Sequence, residues 1–220
     1  LKGMNEMKQK IYTLGEEIFN SVSHGVGTVL SIAAMALLIV FAAFFKGSAA
    51  AVVSAVIYGL TLVILYTMST LYHSFRSPNI KGIFRIFDHC SIFLLIAGTY
   101  TPYTLVTLKD DGGIWIFTGI WAAALVGVIL NAIDINKFRI ISLICYIAMG
   151  WAIVFKFQTL KVLLHPKGLV LLVAGGIVYT VGAIFYLLKK FPYMHSVWHL
   201  FTLGGSILHF LSVLIYVYRF

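Results

Sequence analysis

Seven histidines occur in this chain, and His24, His73, His89, His195, His199 and His209 fall in or at the edges of long apolar runs, as does Asp88. Ionisable groups are costly in such runs and persist where they are paired, buried in a bundle or used. His195 and His199 are four residues apart, so on a helix they share a face and lie about 6 Å apart along the axis. Thr202, Ser206 and His209 continue roughly the same stripe. Ser69 and His73 form a second four-residue pair, and Glu17, Asn20, His24 and Thr28 a third polar stripe. Three neutral imidazoles with one open position make a good zinc site. His73, His195 and His199 supply them economically, one from one helix and two from another. A carboxylate beside such a metal orients or deprotonates the water whose pKa the ion lowers to about 7. Asp88 suits that role. Ser69, one turn before His73, can donate to the water, to Asp88 or to a substrate carbonyl.

Other readings of the same residues stay open. His-x-x-x-His lacks the Glu of the metalloprotease pattern, because Ser196, Val197 and Trp198 intervene. The metal assignment therefore rests on convergence with His73 and Asp88. Neutral histidines can instead form a buried network that holds helices together, and intramembrane histidines and carboxylates can form a proton or ion relay. A relay would spread its groups through the full depth, whereas most of these gather at one edge. His209 is the exception. It lies about 15 Å deeper than His199, too far to share its metal, and reads as a packed polar residue or cavity lining. His89 follows Asp88 but points about 100° away from it on a helix, which suits a structural or headgroup role. His165, in a polar linker, carries no signal. Glu17 at the membrane edge can pair with Arg76, Arg85 or a ligand histidine, and His24 competes with His73 for the metal.

The elements that must position these groups follow from composition. The 220 residues are 61% hydrophobic and 10% charged, against about 25% charged in soluble domains, and the mean hydropathy is +0.99. At roughly 20 apolar residues per crossing, the chain has room for about seven membrane helices and no sizeable extramembrane domain. A net charge of +9 would suggest nucleic acid as partner for a soluble protein. Here the basic residues are scattered through short loops, where they set topology and meet anionic headgroups. Nucleic acid is therefore excluded, and membrane lipids are the expected partners. Cys90 and Cys145 sit in apolar stretches and read as small core residues, not a disulfide or metal pair. The first apolar run is long and lacks a small-residue cleavage site, so no cleavable signal peptide is expected.

Apolar runs at about 18–45, 50–75, 85–108, 113–133, 140–156, 168–189 and 195–218 predict an all-α, polytopic seven-transmembrane helix bundle. Residues 18–218 form this single domain, behind a short N-terminal segment, 1–17. A longer linker is expected at 156–168. Lys2, Lys8, Lys10, Arg76, Lys81, Arg85, Lys137, Arg139, Lys189 and Lys190 would share one side, against Lys46, Lys109, Lys156, Lys161, Lys167 and Arg219 on the other. The positive-inside rule then places the N-terminus in the cytoplasm and the C-terminus outside. Pro102, in Gly98-Thr-Tyr-Thr-Pro102, should kink the third helix, with Thr101 re-satisfying the freed carbonyl. Gly175, Gly176 and Gly182, and Ala123 with Gly127, should allow close helix contacts. Trp115, Trp151 and Trp198 read as interface anchors.

Several motifs together resemble one family. Glu17-x-x-Asn20-x-x-x-His24, Ser69-x-x-Tyr72-His73, Phe87-Asp88-His89, Gly98-Thr-Tyr-Thr-Pro102 and Pro192-Tyr-Met-His195-x-x-x-His199 look like those of the bacterial hemolysin III proteins. These belong to the progestin and adipoQ receptor superfamily, which is itself similar to alkaline ceramidases in a wider group of membrane hydrolases. The resemblance covers about residues 12 to 218. It implies seven transmembrane helices in a bacterial cell membrane, a cytoplasmic N-terminus and a zinc ion near the cytoplasmic face. By motif, it implies His73, His195 and His199 as ligands, Asp88 as holder of the water and Ser69 as its neighbour. Glu17, Asn20, His24, Tyr72 and His209 are candidates for outer positions or cavity lining. Relative to the receptors the chain lacks a long N-terminal cytoplasmic region.

Three functions are compatible with this reading. The first is a zinc-dependent hydrolase of lipid amide or ester bonds with a part in membrane lipid homeostasis, acting on a lipid that enters sideways between helices. The second is a non-enzymatic homeostasis or receptor-like protein with a structural or sensing zinc. The third is the pore-forming cytolysin of the family name. It is disfavoured because a chain apolar along its length has no obvious water-soluble form.

Overall fold

The computed structural model of the chain describes residues 12–188 and 191–220. Lys2, Lys8, Lys10, Lys189 and Lys190, half of the basic set assigned to the inner side, lie outside the described residues.

All regular structure among the described residues is helical. Helix α1 (Leu14–Phe41) starts one turn before the first apolar run because Thr13 and Glu16 form a capping box. The Thr13 hydroxyl accepts from Glu16 N at 3.2 Å, and the Glu16 carboxylate accepts from Thr13 N at 2.8 Å. Wide π-type turns carry α1 on to Lys46, and it stops at Gly47, whose φ of 61° suits a residue without a Cβ. Helix α2 (Ala49–Ser74) is capped by Ser48. Helix α3 (Pro78–Pro102) begins well before the expected residue 85, because Pro78 is pre-set for a first helical turn. It passes through Pro102 into π turns that end where Leu108 N donates to Tyr103 O at 2.8 Å. Thr101 does not take the carbonyl that Pro102 frees, that of Gly98; its hydroxyl donates to Ala97 O at 2.9 Å.

Helix α4 (Gly113–Asp134) is followed by α5 (Arg139–Trp151), which runs through a tight turn into α6 (Phe157–Leu163). The expected linker at 156–168 is thus mostly helix. Nothing in it breaks a helix before Pro166, which opens α7 (Pro166–Leu187). Helix α8 (Met194–Leu211) continues in wide turns to Arg219.

Among the described residues, six of the resulting rods are long and apolar enough to cross a membrane. Helix α3 is not among them, since Lys81, Arg85, Asp88 and His89 dilute its apolar face, yet it packs between α2 and α4. The faces are reversed relative to a soluble protein. On α1 the buried stripe is Glu16, Asn20, His24, Gly27 and Ser31, while Val22 and Val29 are 60% and 69% exposed. Lipid is the only solvent that reconciles the two faces. The chain is an all-α, multi-pass membrane bundle.

Each rod packs on the next in sequence, and α1 also packs on α8, which closes the ring. Gly127 lies against the Phe93 ring and Gly175 against the His209 ring, where a Cβ would collide. The small partner of Gly127 on the buried face of α4 is Ala124; Ala123 is exposed. Trp115, 79% exposed at the start of α4, suits an interface. Trp151 and Trp198 are half-buried. Trp151 donates to Thr180 Oγ1 at 3.0 Å, and Trp198 packs on Gly182 and Tyr186 inside the bundle.

The closure is fastened by Glu16. Its second oxygen accepts from Tyr193 N at 2.9 Å, and Tyr193 holds a left-handed backbone, φ 58°, immediately before α8. Glu16→Ala removes half the capping box and a buried acceptor, at a cost of about 1–3 kcal/mol. A fall of several degrees in the unfolding midpoint of detergent-solubilised protein is expected, partly restored by Glu16→Gln, which can still cap. Wild-type melting of Glu16→Ala would show that the fastening contributes nothing.

Candidate metal centre

His73 lies in the last turn of α2, and its Nδ1 is 2.7 Å from Glu17 Oε2. The other Glu17 oxygen is 2.8 Å from Lys81 Nζ, which also donates to Tyr72 O at 3.0 Å. With Nδ1–H given to the carboxylate, the ring presents a lone pair at Nε2. That atom is buried and has no hydrogen-bond partner among the described residues. His195 and His199, on the first turns of α8, bring their Nε2 atoms 3.2 Å apart. Two imidazole nitrogens at 2.0–2.1 Å from one tetrahedral ion stand about 3.3 Å apart. One nitrogen from each of the three histidines lies within 4.8 Å of the others. The three residues are 3%, 5% and 1% exposed, so bulk water hardly reaches them. The donor set therefore fits a metal ion, and Glu17 stands behind His73 as the outer carboxylate that commonly orients a metal-binding imidazole.

Asp88 lies buried on α3, with His89, His73 and Ser69 close to its carboxylate. His89 is closer to it than a 100° rotation about the helix suggested. The His89 ring curls back so that Nδ1 is 2.9 Å from Arg85 O and 3.4 Å from Asp88 Oδ2. Side-chain length thus overrides the separation at the backbone. Tyr186 meets the other His89 nitrogen at 3.4 Å.

The remaining candidates surround this core. Tyr72 packs against His73, ring centres 4.5 Å apart. Asn20 is fully buried on α1. His24, one turn further, lies face to face with His199 at 3.7 Å. It is not one of the three clustered histidines, although both its ring nitrogens are buried without a hydrogen-bond partner among the described residues. His209 is apart from the cluster, its Nε2 donating to Leu172 O at 3.0 Å. His165, which carried no sequence signal, caps α7 by accepting from Lys167 N at 3.2 Å.

Three participants escaped the sequence reading. Tyr12 stacks on His195 at 5.0 Å and meets His73 edge-on at 5.7 Å; burial, then Tyr72 and Tyr186, push its hydroxyl pKa up, so it stays protonated. Glu16 had a readable signal in Thr13-x-x-Glu16. Lys81 had none, because its reach to Glu17 depends on the turn between α2 and α3.

Beyond the cluster, an apolar cavity of ≈ 130 Å³ lies among α2, α3, α5, α7 and α8. Ile96, Ile147, Leu172 and Trp198 line it, and it reaches His89 and Thr202, close to His199 and Asp88 in sequence and space.

Removing the outer carboxylate with Glu17→Ala should weaken metal binding roughly 10–100-fold, read by competition with a coloured chelator. Glu17→Gln, which still accepts from His73, should recover part of the loss. Unchanged affinity in both variants would remove Glu17 from the centre.

Fold and site together define a class: an integral-membrane helix bundle with a buried three-histidine cluster able to hold a metal ion. Residues 12–210 match the family model described as Haemolysin-III related, and the chain belongs to that family. It is 46% identical over 202 residues to Hemolysin-3 of Bacillus cereus, covering 92% of each chain. It is 43% identical over 206 residues to the Hemolysin-3 homolog of Bacillus subtilis (strain 168), covering 94% of this chain and 96% of that one. A more distant relative is the human Monocyte to macrophage differentiation factor, 27% identical over 178 residues, 76% of this chain and 71% of that one. The helices and the bacterial relatives identify a multi-pass protein of a bacterial plasma membrane.

Proposed function

We propose that this protein is a zinc-dependent membrane hydrolase that cleaves an amide or ester bond of a lipid and so adjusts membrane lipid composition. Seven helices cross the membrane in this reading, with the metal-bearing ends at the cytoplasmic face, as the ten-to-six division of basic residues favours. The observation that carries the proposal is the buried three-histidine cluster, with the Asp88 carboxylate and an apolar cavity close by. His73, His195 and His199 would hold a zinc ion, which when bound would supply Lewis acidity towards a water and a carbonyl. Asp88 would be the carboxylate that takes up a proton at this end of the bundle. The Ser69 hydroxyl lies close to Asp88 and is a donor available to a developing oxyanion. Glu17 keeps the His73 tautomer, and the cavity accepts an acyl chain while excluding bulk water.

The test is acyl release from a broad panel of acyl-amide and acyl-ester lipids by purified, zinc-replete protein. Release from at least one lipid, abolished by chelation and restored by zinc, is expected. No release from any of them would sink the hydrolase. One observation favours a second reading. The cluster ties α2 to α8 where the ring closes, as a structural or sensing metal in a non-enzymatic homeostasis protein would. In that case chelation lowers stability and turnover is absent throughout.

A further inference from the structure

A groove of ≈ 630 Å³ lies at the ends of α1 and α2, lined by Glu17 and by His73, whose side chain is buried behind Glu17. One wall is Leu14, Ile18 and Val22, which are 61%, 55% and 60% exposed on the lipid-facing side of α1. Arg76 and Lys81 also line it. Lys81 is bound to Glu17, whereas exposed Arg76, in the short turn before α3, has no ion pair or hydrogen bond among the described residues. Glu17 is the acidic group lining the groove, so two cations face one carboxylate and leave one positive charge. An acyl-facing wall, a net charge of plus one and a candidate metal ligand just behind the lining match one kind of molecule.

We propose that this groove receives the phosphodiester of an anionic glycerophospholipid, held by Arg76 with Lys81 beside it, and that the scissile bond is an acyl ester of that lipid. The substrate class rests on the hydrolase reading; the headgroup site does not. The charge complements a monoanionic phosphodiester, and a guanidinium fork binds phosphate oxygens pairwise. The ester carbonyl is only a few bonds from the phosphate, so a headgroup at Arg76 leaves the acyl linkage near His73. Leu14, Ile18 and Val22 let the lipid arrive from the bilayer without leaving it. In the reaction, water adds hydroxyl to the acyl carbon and a proton to the departing glycerol oxygen as the acyl C–O bond breaks. The products are a fatty carboxylic acid and a lysophospholipid.

The experiment uses the full zinc-loaded chain in dodecyl maltoside micelles, which contain no phosphate. It measures retention of fluorescent phosphatidylglycerol and of diacylglycerol with the same acyl chains, and then acyl release from each. Wild type should prefer phosphatidylglycerol, and Arg76→Gln should weaken its retention about tenfold and carry the preference towards one. Arg76→Lys should restore part of it, since charge returns without the fork. Preferential retention lost in Arg76→Gln, with no acyl released from any lipid, would uphold the headgroup site and overturn the ester substrate together with the hydrolase. Equal retention and equal release of the charged and neutral lipids would overturn this inference and leave the hydrolase standing. Displacement of the lipid by inorganic phosphate at the lipid's own concentration would overturn the lipid assignment, since the groove would then recognise a free anion.

Discussion

His199→Ala and His73→Ala protein should purify without zinc, where wild type carries about one ion per chain. The three imidazoles are nearly the whole donor set, and a site of two has too few ligands to hold a tetrahedral ion. The fall in affinity should exceed the roughly 10–100-fold that loss of an outer partner costs, leaving less than about a tenth of an equivalent after gel filtration. His209→Ala should keep its metal, because His209 is bonded to Leu172 O and lies outside the cluster. His199→Cys should recover part of the content, as a thiolate is also a zinc ligand. That recovery separates lost ligation from lost packing, which matters because His199 is stacked on His24 and fully buried. Elemental analysis of monodisperse protein gives the answer. A wild type without metal, even after zinc is supplied, would sink the centre. The histidines would then be a buried network joining α1, α2 and α8.

Asp88→Asn should be the reverse: full zinc and almost no turnover. Asparagine keeps the size of the side chain and an acceptor for Ser69, but it cannot take a proton. Loss of a general base typically costs 10²–10⁴-fold in rate, so acyl release should fall by about that factor with metal content unchanged. Ser69→Ala should cost less, since it removes a hydroxyl close to Asp88 and leaves the carboxylate. Running the metal and rate measurements on the same preparations gives them their force. If Asp88→Asn released acyl chains at the wild-type rate, Asp88 would not be the base. If it lost zinc as His73→Ala does, Asp88 would belong to the ligand set.

The sequence by itself determined that this is a bundle of membrane helices and roughly where each lies, because insertion into lipid depends on residues within a single segment. It also singled out His73, His195, His199, Asp88 and Ser69, since helical spacing and the rarity of ionisable groups in apolar runs are local facts. Errors within segments had local causes: Pro78 starts α3 early, and no breaker stands between Trp151 and Pro166.

Only the tertiary structure decided which helix meets which. Lipid is as apolar as the helix surfaces, so hydrophobicity cannot choose partners, and the choice falls to shape and to polar groups on other segments. The closure of α1 on α8 is such a choice. It puts Glu16 on Tyr193 N and lays His24 flat on His199, and the neighbouring α1–α2 contact sets Glu17 behind His73. The turn between α2 and α3 likewise brings Lys81 back to Glu17. These residues are close in space and far apart along the chain, and no spacing within a single helix encodes their meeting.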